Sequence, residues 1–485
     1  MRHRPGPVDL VLATARSPIG DDDGDAVLGR AHTALMHTVS SRGGAWVAAT
    51  DIPPKAAASS WLVPLEISAP VLSGWRDGQC ANTLASTYYG HSGITPPQDP
   101  AWKAAYEQVN ARYAAAIARS ADDGAAIWLH DYPLQLVPAI LRRMRPDLRI
   151  GFTLHSPLPP AESFQTLAGR DDLLAGLAAA DLLSFTDERS RANFAAIADQ
   201  TGTAYGRTLV MPMPADAHVI SQLAETWTVQ THAAQIRTSL RPASTVLLSI
   251  GGNDPGDGTL QRLQEFARLL DTRQLQAQEC AFIQLAPNGD GLTPEAAQLR
   301  AELERLTAKI NGQHGCLSHL PVHYQRGVLS PAELTAFYLA ADVMLATPMR
   351  DRATPHAAEY AATRTHGRGC IVLSEFSATP LPGAVVINPH DPEALGRAML
   401  AAAAQCHTAS RQVVAMRSQT LTSGGITTWA DQFLHNLKPV KHRTATGRLH
   451  QTWRSVPTGR HQEGSRQRVQ ASDTSGQLTV TAPHP

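Results

Sequence analysis

Short runs of apolar and β-branched residues alternate along the chain with longer stretches whose apolar positions recur at helical spacing. VDLVLAT (8–14), GAWVAAT (44–50), AAIWLHD (125–131) and RIGFTLH (149–155) are apolar nearly throughout, the pattern of strands buried on both faces. Between them, PAWKAAYEQVNARYAAAIARSA (100–121) and LQLVPAILRRM (134–144) repeat with helical spacing, and 172–198 predicts helix, strand, helix. A second series begins with TVLLSIGG (245–252). It continues through a helix over 261–272, a strand at 281–287, a long amphipathic helix over 294–310, the strand PVHYQRG, a helix–strand pair over 331–348 and a strand at 369–376. Alternation of this kind predicts an α/β fold of two doubly wound, Rossmann-like domains, with ligands held outside the carboxyl ends of the strands.

The expected division is an N-terminal domain over 1–220, a second domain over 221–405 and a helical segment over 406–437 that packs back on the domains. After residue 438 the pattern stops. The segment 438–485 has few large apolar residues, and its eight Lys/Arg against two Asp/Glu leave it basic, so a disordered tail is expected.

Composition narrows the class. Lys/Arg and Asp/Glu balance at 42 each, so no global field favours nucleic acid or a membrane surface. Five cysteines without a CxxC pair argue against a zinc site or a disulfide framework. No stretch of about 18 apolar residues is present. These features predict a cytoplasmic, soluble protein without a metal.

Candidate chemistry sits at the strand ends. The string WLHDYPLQLVPAILRRMRPDLRIGFTLHSPLPPAESF (128–164) closely resembles W-x-x-D-Y-x-L-x-L-x-P-x-x-L-R-x-x-x-P-x-x-x-I-G-F-F-L-H-x-P-F-P-x-x-E-x-F, a pattern of the trehalose-6-phosphate synthase family, glycosyltransferase family 20. AKINGQHGCLSHLPVHYQ (308–325), ELTAFYLAADVMLATPMRD (333–351) and IVLSEF…INPHD (371–391) extend the resemblance. It implies the GT-B arrangement: two Rossmann-like domains facing a central cleft. It also implies transfer, with retention of configuration, of glucose from a nucleotide sugar (UDP- or GDP-glucose) to a sugar phosphate or related acceptor, using no metal or cofactor.

By the same resemblance, Asp131 and His155 touch the acceptor and donor sugars, Asp351 reads the donor's hydroxyls, Glu359 holds the nucleotide ribose and Arg16 contacts the acceptor phosphate. Asp131 equally suits a helix N-cap for 134–144, and Asp351 one for the helix containing Glu359.

Other family positions are replaced. The diphosphate string S-V-x-R-L-D-Y-x-K-G reads SIGGNDPGDG (249–258), with Gly252 in the place of Arg and Asp257 in the place of Lys. Each charge-assisted contact is worth about 1.5–3 kcal/mol, so two missing cations weaken diphosphate binding by about 10²–10⁴. The phosphate loop D-G-M-N-L-V-A-K-E reads DRATPHAAE (351–359). Arg352 stands for Gly and Ala358 for Lys, while Arg350 and Arg352 are candidate substitute cations. On the acceptor side, Arg76 stands for Tyr and Ala85 for Trp in RDGQCANTLAS (76–86). Asp290 falls near an acceptor-phosphate Arg, and Asp25-Ala26 replaces a Gly-Gly pair. Three readings follow: family-like glucosyl transfer; coupling of cyclitols by a pseudo-glycosyltransferase; and a non-catalytic paralogue that binds a sugar or a partner enzyme. A homo-oligomer is compatible with each.

Overall fold

A computed structural model of the chain describes residues 8–18, 28–50, 60–89, 97–252, 254–286, 294–327, 329–350, 354–377, 379, 381–422 and 424–437. All belong to one compact unit, Met1–Val440. The expected tail, 438–485, lies outside the described residues.

Thirteen strands are described: β1 Val8–Thr14, β2 Ala45–Ala49, β3 Leu62–Leu65, β4 Ala121–His130, β5 Arg149–Leu154, β6 Leu182–Phe185, β7 Arg207–Val210, β8 Thr245–Ile250, β9 Cys280–Ala286, β10 Val322–Arg326, β11 Val343–Ala346, β12 Cys370–Ser374 and β13 Val385–Ile387. They form two sheets, ordered β3-β2-β1-β4-β5-β6-β7 and β10-β9-β8-β11-β12-β13. Every described strand pair is parallel. In each sheet the order reverses once, between β1 and β4 and between β8 and β11. A doubly wound sheet opens its ligand crevice at that edge.

The strands take this form because helices cover both faces. All residues of β2, β6, β9 and β11 are buried, which removes the polar alternation of a half-exposed strand. The helix Pro100–Ser120 starts at Asp99, whose side chain accepts from Ala101 N, and has Pro at its first turn. Its buried Tyr106, Val109, Tyr113 and Ile117 pack into the core of the first sheet.

The last described helix, Ile426–Asn436, returns to the first sheet. Phe433 stacks on Trp128 at 4.3 Å between ring centres, and Trp429 packs at 5.1 Å from the same ring. Gly151 makes room for it, since a Cβ there would lie 2.7 Å from the Phe433 ring. The last helix is thereby fixed to β4 and β5, the strands that carry the site.

The segment Gly74–Ala85 is a π-helix, a rare wide-turned form that is frequent at functional sites. No described helix is long and apolar enough to cross a membrane.

Candidate functional site

The first half of the site forms at the β1/β4 edge. β1 ends at Thr14, whose hydroxyl donates to Arg16 O at 2.6 Å and accepts from Trp46 Nε1 at 2.8 Å. Tyr113 donates to Thr14 O at 2.8 Å. These bonds fix the backbone on which half-buried Arg16 stands.

β4 ends at His130, and Asp131 then adopts φ 68°, a left-handed value that costs a non-glycine residue about 1–3 kcal/mol. The turn aims the Asp131 carboxylate sideways at the next strand rather than along its own chain. One oxygen accepts from His155 N at 3.2 Å and Ser156 N at 3.1 Å. The other accepts from Ser156 Oγ at 3.1 Å. Asp131 makes no side-chain cap, and the helix Val137–Met144 is capped by Leu136, so the N-cap alternative is set aside. Because the single hydroxyl proton of Ser156 points at Asp131, Tyr89, 3.0 Å from Ser156 Oγ, is the donor to that oxygen. The π-helix lies close by: burial raises the Cys80 thiol well above its ordinary pKa, and the carboxylates of Asp131 and Asp77 add to the rise.

His155, half-buried, meets His130 ring to ring. Nδ1 of His130 and Nε2 of His155 are 2.9 Å apart, and the planes are parallel within 6°. One nitrogen must donate and the other accept, so the pair carries at most one positive charge while that bond stands. Trp128 packs against His130 at 4.7 Å, and Trp429 lies 6.1 Å from His155.

The second half lies at the β8/β11 edge. After β8, Gly251 and Gly252 take φ 132° and 125°, values that favour glycine. Gly251 O accepts from Gln284 Nε2 at 2.7 Å. The Asp257 carboxylate folds back on this turn and accepts from Gly252 N at 3.0 Å. The carboxylate that stands in the place of a family Lys is thus hydrogen-bonded inside its own loop. Arg350, just beyond β11, crosses to the same loop, its Nη2 3.4 Å from Asp254 Oδ1. Gly256 makes space for it, since a Cβ there would lie 2.4 Å from Arg350 Nε.

The helix Pro355–Ala362 follows β11. Its N-cap residue is Thr354. Glu359 is 2 % exposed. Its carboxylate accepts from Tyr338 OH at 2.6 Å, and Tyr338 in turn lies 2.7 Å from His356 Nδ1. The phenol has one proton, so Nδ1 of His356 carries the other. Ala358 is buried in the apolar core beside Tyr360, so this position presents no cation.

Asp131 and His155 therefore meet directly, and Arg16 stands on the adjoining strand end. Glu359, on the helix Pro355–Ala362, and Arg350, Gly252 and Asp257, in the segments that follow β11 and β8, lie on the second sheet's side. Arg76 and Ala85 lie on the π-helix, with Arg76 3.8 Å from Asp77. Asp351, Arg352, Asp290 and Asp25-Ala26 lie outside the described residues. Sequence reasoning passed over His130, Ser156, Tyr338 and His356. His130 and Ser156 were within reach, each beside a named residue in the best-matching string. Tyr338 and His356 had no such signal, because their roles arise from packing between separate helices.

The model of glycosyltransferase family 20 matches residues 38–439. The chain belongs to glycosyltransferase family 20. The trehalose-6-phosphate synthase of Mycobacterium sp. (strain KMS) is 33 % identical over 472 residues, covering 90 % of this chain and 96 % of that protein. That of Mycolicibacterium smegmatis is 32 % identical, covering 95 % of each. Among solved structures, the Escherichia coli protein bound with UDP-2-fluoro glucose superposes with a TM-score of 0.78 at 24 % identity, over 89 % of this family 20 chain and 99 % of that one. The α,α-trehalose-phosphate synthase (UDP-forming) of Burkholderia xenovorans in complex with glucose-6-phosphate gives 0.76 at 21 %, over 88 % and 99 %. The fold is therefore GT-B, and the protein is a trehalose-6-phosphate synthase-like glycosyltransferase.

Proposed function

We propose that this protein moves a glucosyl unit from UDP- or GDP-glucose to a sugar phosphate, with retention. The observation that carries the reading is the Asp131–His155 constellation: a backbone-strained carboxylate and a paired histidine at the switch edge of the first sheet, in the string that best matches the family. Asp131 is the acceptor-sugar contact and His155 the donor-sugar contact. Arg16 and Arg76 are the acceptor-phosphate cations, and Glu359 with Asp351 binds the donor's ribose and sugar.

The acceptor hydroxyl attacks the face of the donor's anomeric carbon from which the nucleotide diphosphate leaves, so the carbon–oxygen bond to the phosphate breaks as the new glycosidic bond forms, and the hydroxyl proton passes to the departing phosphate. The chain's contribution is positioning, with stabilisation of the departing phosphate by Arg350 and Arg352. The neighbours bound to UDP-2-fluoro glucose and to glucose-6-phosphate support this choice of ligands.

The test is incubation with UDP-glucose or GDP-glucose and glucose-6-phosphate, following nucleotide release and the anomeric protons of the product by NMR. A doubly α-linked disaccharide phosphate is expected. The absence of Arg and Lys at 252 and 257 favours a second reading, a non-catalytic sugar-binding paralogue. It predicts sugar binding with no product from either donor.

A further inference from the structure

Arg262 is one of the largest fully enclosed side chains among the described residues, at 1 % exposure. It sits in the first turns of the helix Thr259–Asp271 and reaches under the edge where β8 and β11 diverge. Nε donates to Ser249 Oγ at 2.8 Å, at the end of β8. Nη1 donates to Asp257 O at 2.7 Å in the loop and to Thr347 Oγ1 at 3.2 Å, just past β11. Nη2 donates to Thr259 Oγ1 at 2.9 Å. Every one of these acceptors is an uncharged oxygen. The carboxylate that acts on the guanidinium is that of Asp257, and it does so through space while hydrogen-bonded to Gly252 N. Burial pushes the Arg262 pKa down to about 10, which leaves the group cationic at neutral pH.

Neutral oxygens satisfy the geometry of a buried guanidinium but do not cancel its field, and an enclosed charge without a bonded counter-ion is costly to fold. In a low-dielectric floor that field is poorly screened, so an anion arriving at the β8/β11 edge feels it. Resting on the reading of this edge as a nucleotide-sugar site, we infer that Arg262 is the fixed cation of the donor-anion site. It is a positioning residue that favours a diphosphate through the β8 and β11 loops without touching it. It thereby stands in part for the cations absent at Gly252 and Asp257. Asp257 opposes it, so the two side chains set the potential of the edge between them.

Calorimetric titration of UDP and inorganic pyrophosphate at low ionic strength, with uridine followed by ligand-observed NMR, tests this on wild type, Arg262→Met and Asp257→Asn. In Asp257→Asn the amide oxygen can still accept from Gly252 N, while the negative charge is gone. Arg262→Met is expected to weaken UDP and pyrophosphate at least tenfold and uridine less than threefold. Asp257→Asn is expected to tighten UDP and pyrophosphate severalfold and to leave uridine unchanged. Parallel loss of UDP and uridine in Arg262→Met, or weaker UDP binding in Asp257→Asn, overturns the inference and makes Arg262 a structural staple. If Arg262→Met does not fold, the Asp257→Asn arm decides alone. Folded wild type that binds neither UDP nor pyrophosphate contradicts the nucleotide-sugar reading itself and removes this inference with it. Wild-type binding with both variants unchanged overturns only the inference.

Discussion

At the end of β4, Asp131 reaches across to the next strand and takes two amides and a hydroxyl from His155 and Ser156. At the end of β8, Asp257 reaches back into its own loop and takes one amide from Gly252. Both edges are the reversal points of parallel sheets that share one strand order over six strands, the first sheet adding β7, yet the first joins two strands through a charged side chain and the second closes a single turn. The first edge holds Asp131, His155 and Arg16, the residue types that the family resemblance leads one to expect there. At the second, Gly252 and Asp257 stand where the resemblance expects Arg and Lys, Arg262 lies buried beside the loop, and Arg350 is shared with Asp254. A common topology therefore fixes where a ligand goes, while the side chains that finish the edge decide how strongly it is held.

The largest effect should come from breaking the first edge. Asp131→Ala leaves two amides and a hydroxyl without their acceptor, each costing about 1–3 kcal/mol where buried, and the Cβ of alanine keeps the strain of the positive φ. Turnover is expected to fall by about a thousandfold or more and the melting temperature to drop. Retained turnover would show that the carboxylate is structural only. His130→Phe keeps the ring stack but removes the nitrogen that orients His155. kcat is expected to fall by about 10–100-fold with little change in KM for the acceptor. Equal losses in a His130→Asn variant would indicate disturbed packing rather than a lost hydrogen bond.

On the second edge the expected effects are smaller, because the cations there act at a distance or are shared. Arg350→Ala is expected to weaken UDP binding by about tenfold, the value of one charge-assisted contact, measured by calorimetry. No change would remove Arg350 from the donor site and leave Arg262 and Arg352 as its cations.

Much of the fold was legible because both series of strands are buried on two faces, so their apolar runs stand out against the helices. The short edge strands β3, β7 and β13 were not, since each spans only three or four residues and most of those residues are half-exposed or exposed. The helix expected over 134–144 begins instead at Val137, after a 3₁₀ turn forced by the strained Asp131. Asp131 and His155 were visible as strand-end residues, but their mutual bonding depends on β4 and β5 being neighbours, which is set by pairing rather than by local sequence. Arg262 falls in the helix expected over 261–272 and was not singled out there. Ser249 at the end of β8 and Thr347 just past β11 bond its guanidinium, and their approach is set by the fold rather than by local sequence.

The smallest effect concerns the second sheet's outer strand. Burial holds the His323 imidazole below its ordinary pKa, so the folded state prefers it neutral. Its contribution to stability is present above the unfolded value of about 6.5 and is lost as pH falls through the lower folded value. Lowering the pH from 7.5 to 5.5 should therefore reduce the melting temperature of wild type by a degree or two more than that of His323→Gln. Equal shifts would place the acid-sensitive group elsewhere.

The account rests on the second edge still holding a diphosphate despite Gly252 and Asp257. Titration of UDP-glucose and GDP-glucose into the wild-type protein at low salt measures that directly. Binding of one donor with a dissociation constant on the order of 0.1–1 mM, weakening as salt is added, is the predicted result. No heat from either donor at millimolar concentration, with the protein folded, would contradict it.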